Sequence, residues 1–124
     1  MHNSYFKTYR ADAAIQAYGI VKPGTTPGMT IAQATGPTDK LLGSIDNLPA
    51  VTGDDTDVNL MGQHSVKLGG TVAFWDPLTS DANGAAVVSA PGTGVTHNII
   101  GRAMKAGVAG DIIPYLGIPG TLRG

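Results

Sequence analysis

Residues 67–84 read KLGGTVAFWDPLTSDANG, a stretch in which two turn signals flank a short apolar segment. Asn83 and Gly84 both tolerate the positive φ of a type I′ turn, so this dipeptide is a strong signal for a β-hairpin between two short strands. Gly69 and Gly70 mark another turn before the apolar segment. The stretch combines turn residues with apolar residues and lacks a catalytic motif, and it therefore predicts a β-scaffold.

The same pattern of short apolar segments separated by turns continues through the rest of the chain. The 124 residues include 18 glycines and 8 prolines, which separate apolar segments at 18–21, 29–32, 41–45, 57–61, 71–75, 85–90, 99–104 and 112–116. Such segments recurring about every 8–12 residues are typical of a small β-sandwich or β-barrel. Around Val58 and Leu60 the apolar residues alternate with polar ones, as in a strand with one wet face. We therefore predict an all-β domain over residues 18–124.

Residues 1–17 precede the first predicted strand and are predicted to form an extended N-terminal arm. Only residues 10–17 (RADAAIQA) have helix-forming composition, and a segment this short supports at most one helical turn. Aromatic and basic side chains cluster in the arm at Tyr5, Phe6, Lys7, Tyr9 and Arg10. The arm is too short to bury its own apolar side chains, so we expect these side chains to pack either on the barrel of the same chain or on another subunit.

Charge and composition narrow the partners and the compartment. Eight basic and nine acidic residues give a net charge of −1. The chain therefore lacks the excess of positive charge that binding to nucleic acid or to an anionic membrane favours. Cysteine is absent, so disulfides and thiol chemistry are excluded. The N-terminus lacks the layout of a signal peptide, and no apolar run approaches the ~20 residues that cross a bilayer. We expect a soluble protein synthesised in the cytoplasm.

No motif in the chain predicts catalysis or a cofactor. The patterns GxGxxG, GxxxxGK[ST], GxSxG and HExxH are absent, and His2, His64 and His97 lack neighbouring ligands at metal spacing. The aspartates of residues 54–57 could suggest calcium, but an EF-hand loop beginning at Asp55 would have leucine and valine where glycine and glutamate are required. We expect a solvated turn there, and neither an enzyme nor a metal or cofactor site.

Phe74 and Trp75 form the other aromatic group. Adjacent residues of a strand point to opposite faces, so one ring is expected in the core and the other outside. Trp75 directly precedes the turn-starting pair Asp76-Pro77 and is predicted to be the outward ring. Because tryptophan is a preferred interface anchor, Trp75 is the main candidate for a contact.

Six segments form a recognisable series between about residue 21 and the C-terminus: KLLG (40–43), DVNLMG (57–62), GGTV (69–72), DPLTSDANG (76–84), IIGRA (99–103) and GVAGDI (107–112). In their order and spacing they resemble the tailed-phage capsid cement proteins, also called head decoration proteins. At one position the chain departs from the family pattern. Relatives usually have glycine immediately before the aspartate of the DPLTSD-like segment, and here that residue is Trp75, which favours a lineage-specific contact.

The resemblance implies a β-tulip-like barrel with a structural and non-catalytic role. Cement proteins bind the outer surface of the mature phage head and stabilise its lattice, so the implied partner is the major capsid protein. The implied location is the outer capsid surface of the virion. A homotrimer is the first expectation for the assembly, with a monomer or a dimer also open. Tyr5, Phe6, Lys7, Tyr9, Arg10 and Trp75 are then candidates for capsid or oligomer contacts.

Two other classes remain open at this point. A phage tail or baseplate β-module acting as a binding domain would share the glycine-rich strands and the lack of catalytic groups. A small hydrolase would need two convergent carboxylates. Asp46, Asp76, Asp81 and Asp111 are available for that role, although each lies beside turn residues.

Overall fold

The computed structural model describes residues 5–26 and 28–124, and these residues form nine β-strands and no helix. The strands are β1 (Tyr5–Ala11), β2 (Ile20–Pro23), β3 (Thr30–Gln33), β4 (Gly43–Ile45), β5 (Asp55–Lys67), β6 (Pro77–Ser80), β7 (Ala86–Val88), β8 (Thr96–Ala103) and β9 (Ile112–Arg123). The all-β fold predicted from the sequence is confirmed. In the described ranges, no helix is long and apolar enough to cross a membrane.

Five strands close a barrel, and four more extend from it as a second sheet. The barrel order is β1-β3-β2-β4-β5, and it closes because β5 also pairs with β1. β5 is long enough to belong to both parts: its first half pairs with β1 and β4, and residues 62–67 pair with β9. The second sheet then continues in the order β5-β9-β8-β6-β7.

Two clusters of buried side chains form the core. One fills the barrel and consists of Tyr9, Ala11, Ile15, Val21, Ile31, Ile45, Ala50 and Val58. The other joins Ile20 of the barrel to residues of the second sheet, among them Val66, Leu78, Ile100, Ile113 and Tyr115. Burial of apolar area is the main favourable contribution to folding, so the second cluster explains how the two parts of the fold are held together.

The N-terminal segment differs from the predicted arm. Residues 5–10 form a ladder with β5, and β1 also pairs with β3 at Arg10 and Ala11. Residues 10–17 contain no helical turn. Lys7, Tyr9 and Ala11 share one face of β1, and Phe6, Thr8 and Arg10 share the other, which is the period of two that a strand requires. The predicted boundary between residues 17 and 18 is therefore wrong, because β1 closes the barrel.

The segment that carries the adjacent aromatic residues also differs from the prediction. Residues 71–75 form no strand: Val72 makes an isolated bridge to Gly107, and a turn follows at residues 73–76. The predicted strand at 57–61 is only part of β5, which runs from Asp55 to Lys67. The apolar pattern marked only the first half of β5, and pairing with three neighbouring strands sets the full length of the strand.

β6 and β7 form a hairpin, and its loop contains Asn83 and Gly84. Only Gly84 has positive φ, at 74°, so the loop differs from the predicted type I′ turn, which needs positive φ at both central residues. The Asp81 carboxylate instead accepts hydrogen bonds from the backbone N–H groups of Asn83 (2.8 Å) and Ala85 (3.0 Å). The Gly84 carbonyl accepts the N–H of Ile20 over 2.8 Å, which attaches the loop to the barrel.

Gly69 and Gly70 lie between the end of β5 and the bridge at Val72. A side chain at Gly69 would collide with the Asp81 carboxylate, so the close approach of this segment to the hairpin loop explains the glycine. At Gly70 a Cβ would meet only Val87, at an ordinary 3.7 Å, and nothing in the structure explains why this residue is glycine.

Candidate functional site

The candidate contact residues fall into two separate places. Tyr5, Phe6, Lys7, Tyr9 and Arg10 lie on β1, whereas Trp75 lies in the turn at residues 73–76 of the second sheet. The N–H of Trp75 donates to the carbonyl of Ala103 over 2.7 Å, and Ala103 is paired with Tyr115 of β9. Trp75 is thus separated from β5 by two strands, and the structure does not bring the two groups together.

Within β1, the alternation of the strand divides the candidates. Tyr9 is only 8% exposed and belongs to the barrel core, so it contributes to folding and is not available as a contact. Lys7 shares its face, and the Lys7 ammonium lies 5.2 Å from the centre of the Tyr9 ring. Arg10 points outward and forms an ion pair with Asp55 at 3.7 Å, but both side chains are about two-thirds exposed, so the pair contributes little stability.

Phe6 belongs to an apolar surface at the point where β5 leaves the barrel. Its side chain is 59% exposed, and those of Met61 and Ile118 are 47% and 48% exposed. Met61 is paired with Tyr5 through the backbone, and Ile118 directly follows Gly117, the partner of Gly62. Phe6, Met61 and Ile118 therefore lie on three neighbouring strands, β1, β5 and β9, and we call them the junction patch.

β1 also has an open edge beside the junction patch. β5 covers one edge along residues 5–10, whereas β3 covers the other only at Arg10 and Ala11. At Phe6, Lys7 and Thr8 the second edge has no strand partner among residues 5–26 and 28–124. Such an edge can accept an extended segment from another chain.

The turn at residues 73–76, which we call the aromatic turn, exposes both of its central side chains. Phe74 is 63% exposed and Trp75 is 43% exposed, so the expectation that one ring enters the core is wrong. The reason is that the two residues occupy the centre of a turn and not a strand. Their rings pack against each other with centres 6.0 Å apart.

The backbone of the aromatic turn matches two other turns in the chain. In each turn, an aspartate and the residue three positions before it form two hydrogen bonds. The backbone N–H of the aspartate donates to the carbonyl of the earlier residue, and the aspartate carboxylate accepts the N–H of that same residue. The aspartates are Asp54, Asp76 and Asp111. The residue before the aspartate has positive φ in all three: 91° at Gly53, 91° at Gly110 and 72° at Trp75. This is the geometry of a type II turn, which favours glycine at that position.

Trp75 therefore occupies a glycine position. For a residue with a side chain, this left-handed conformation costs about 1–2 kcal/mol. The left-handed conformation that glycine adopts easily is present here, although the side chain makes it unfavourable. Strained backbone of this kind is often found at functional sites, where another interaction offsets its cost.

Arg102 supports the aromatic turn. Its guanidinium lies 5.7 Å from the centre of the Trp75 ring, and its Nη1 donates to the Trp75 carbonyl over 3.1 Å. A cation over an indole face is attractive, so Arg102 fixes the ring and places a positive charge beside it. No local pattern in the sequence predicts a role for Arg102, because 27 residues separate it from Trp75.

The described residues contain no group of three histidine, cysteine, aspartate or glutamate side chains that could hold a metal. The ring nitrogens of His64 and His97 contact the Met61 carbonyl at 2.6 Å and the Ser89 hydroxyl at 3.0 Å. The carboxylates considered for a hydrolase or a calcium loop instead bind their own chain. Asp46 accepts from Asn59, Asp57 accepts from Thr8, and Asp54, Asp76, Asp81 and Asp111 accept backbone N–H groups of turns.

Comparison with known proteins identifies a similar fold. No protein-family model matches the chain, and no curated protein sequence matches it. Among solved structures, the chain resembles the N base of the head fiber protein gp8.5 of bacteriophage phi29, with a TM-score of 0.68 and 19% sequence identity. The alignment covers 98% of this chain and 99% of the phi29 chain. At this identity the similarity establishes the fold.

Proposed function

We propose that this chain is a non-catalytic structural protein of a phage virion that binds the outer surface of the mature head and stabilises its lattice. The observation that carries the proposal is the end-to-end similarity of the fold to a base domain of a phage head fiber, with a TM-score of 0.68. The sequence motifs of the cement proteins support the same assignment independently. The partner is then the major capsid protein, and the first expectation for the assembly is a homotrimer.

The junction patch and the open edge of β1 are the surface that we assign to head binding. Phe6, Met61 and Ile118 supply exposed apolar area, and contiguous apolar surface is typical of protein interaction sites. The adjacent edge at residues 6–8 supplies free backbone groups for an added strand of the capsid protein. A preformed barrel loses little conformational entropy when it docks, which favours binding.

A titration against heads that lack this protein tests the assignment. Met61→Ala is expected to weaken binding by about tenfold, a loss of about 1.4 kcal/mol. The matched control is Val108→Ala, because Val108 is another exposed apolar residue, at 54%, and lies in the loop between β8 and β9. Equal affinity of both variants would contradict the assignment of the junction patch, and failure of the wild-type protein to bind heads would contradict the function itself.

Copy number distinguishes head attachment from the alternative role in a tail or baseplate. A lattice protein is present in hundreds of copies per virion, whereas a tail module is present in a few. Quantitative mass spectrometry of purified virions, with the major capsid protein as internal reference, gives this ratio. A ratio close to that of the tail proteins would overturn the proposed function.

A further inference from the structure

We propose that the aromatic turn of one copy of this chain docks into the acidic end of the barrel of a second copy. The acidic end is the concavity, about 370 Å³ in volume, that is lined by residues 46–50 and 54–57. This contact assigns surfaces to the homotrimer of the proposed function, and its test does not require a phage head.

The aromatic turn has the properties of a docking element. Phe74 and Trp75 are exposed side by side, and Trp75 is held in a conformation that glycine would adopt more easily. Among residues 5–26 and 28–124, Arg102 forms a hydrogen bond only through Nη1, so its other N–H groups are free to meet a carboxylate. Tryptophan and arginine are the side chains most enriched at the energetic centres of protein interfaces.

No neighbouring carboxylate in the described part of the chain forms an ion pair with Arg102, so its positive charge is available to a partner. The nearby carboxylates of Asp76 and Asp111 accept backbone N–H groups within their own turns, at 2.8 and 3.0 Å. Lys105 follows Arg102 by three residues and is exposed. The element therefore presents two aromatic rings together with a guanidinium, and it fits an apolar surface that is bordered by carboxylates.

The acidic end of the barrel is such a surface. Leu48 is exposed at 74% and lies among the carboxylates that line the concavity. Asp46, Asp54 and Asp57 accept hydrogen bonds from uncharged groups, and in the described part of the chain none of them forms an ion pair. Asp55 is the exception, because it is paired with Arg10. The charges of the two surfaces are complementary, which favours a second copy as the occupant.

The positions of the two surfaces require the contact to form between molecules. Asp55 and Asp57 lie at the start of β5. The aromatic turn lies beside Ala103 of β8, and β9 separates that part of β8 from His64, which is near the other end of β5. A chain with different docking surfaces at its two ends associates head to tail, and such contacts close into a ring when the rotation between subunits permits. A ring of three would be the expected homotrimer.

Charge exchange in the full-length protein tests the contact. We expect Arg102→Asp and Asp57→Arg each to weaken self-association by about tenfold or more, as measured by sedimentation velocity over a concentration series. The double variant, which restores opposite charges across every head-to-tail contact, is expected to recover most of the lost affinity. Arg123→Asp is the matched control, since it reverses an exposed charge at the end of β9 and Arg123 lines neither surface.

Two variants of the turn keep the test independent of folding. Trp75→Gly and Trp75→Ala both remove the ring, and both are expected to weaken self-association, although they differ in backbone strain. A wild-type protein that stays monomeric over the whole concentration range would overturn the proposal. Assembly that is unchanged in Arg102→Asp or Asp57→Arg, or that is not recovered in the double variant, would also overturn it.

Discussion

The hydroxyl groups of Ser44 and Tyr115 lie 2.8 Å apart and form a buried hydrogen bond between β4 of the barrel and β9 of the second sheet. The Ser44 hydroxyl also donates to the Ser65 carbonyl over 3.2 Å. Tyr115 is one of the largest fully buried side chains, and it belongs to the cluster that joins the two parts of the fold. This polar contact therefore fixes the two sheets relative to each other inside an otherwise apolar interface.

Removal of the Tyr115 hydroxyl is expected to reduce stability and to change its dependence on pH. Tyr115→Phe should lower the free energy of unfolding at neutral pH by about 1 kcal/mol, because one buried hydrogen bond is lost. Burial raises the pKa of Tyr115 from 10.0 to about 12. The neutral Tyr115 side chain therefore contributes its full share of the free energy of unfolding below pH 10, and this stabilisation is lost as the pH rises from 10 towards 12.

Urea unfolding of the wild-type protein and of Tyr115→Phe between neutral and alkaline pH measures both effects. The difference in stability between the two proteins should narrow above the pKa of an unfolded tyrosine. A difference that stays constant across the alkaline range would show that Tyr115 does not titrate with a raised pKa.

The backbone strain at Trp75 predicts that a glycine variant is more stable than an alanine variant, the reverse of the usual order. Trp75→Gly and Trp75→Ala lose the same ring contacts, but only alanine retains a side chain at positive φ. We expect the glycine variant to be more stable than the alanine variant by about 1 kcal/mol, as measured by chemical denaturation. At an ordinary turn position glycine would be the less stable of the two.

Gly110→Ala is the control for this effect, because Gly110 occupies the same position in a matching turn. It should lose about 1 kcal/mol for the same reason. If alanine proved equal to glycine at both positions, the left-handed conformation could not be the source of strain at Trp75.

The hairpin loop predicts unequal effects of substitution at two adjacent residues. Gly84→Val should lower the free energy of unfolding by about 2 kcal/mol or more, because Gly84 has φ of 74° and an added Cβ would lie 2.6 Å from Gln33 Cγ. Asn83→Ala should change it by no more than about 0.5 kcal/mol, since Asn83 is exposed and lacks positive φ. Comparable losses at both positions would favour the type I′ turn that the sequence suggested.

The two faces of β1 predict opposite roles for its aromatic residues. Tyr9→Ala should destabilise the protein by about 3 kcal/mol, since Tyr9 fills the barrel core. Phe6→Ala should cost less than about 1 kcal/mol, because its ring is mostly exposed. Thermal unfolding followed by circular dichroism separates the two variants. A large loss in Phe6→Ala would place that ring in the core and remove it from the junction patch.

The sequence alone determined the features that depend on neighbouring residues in the chain. Glycine, proline and aspartate restrict the backbone locally, so the turns between strands and the all-β class could be predicted from their positions. The hairpin at Asn83 and Gly84 is of this kind, since its strands are adjacent in sequence. The exposure of Trp75 was also predictable from the turn-forming residues that follow it.

The tertiary structure decided everything that depends on contacts between distant segments. The sequence of residues 5–11 contains no strong signal for a strand. These residues form β1 because they pair with an edge of β5, and this pairing closes the barrel. The two segments are distant in the sequence: Thr8 and Asp57, which are in contact, are 49 residues apart. That pairing, and not the local sequence, buries Tyr9 and leaves Phe6 exposed. Likewise, the Ala103 carbonyl and the Arg102 side chain hold Trp75 in a glycine conformation, which no pattern of adjacent residues could reveal because the stabilising groups lie on another strand.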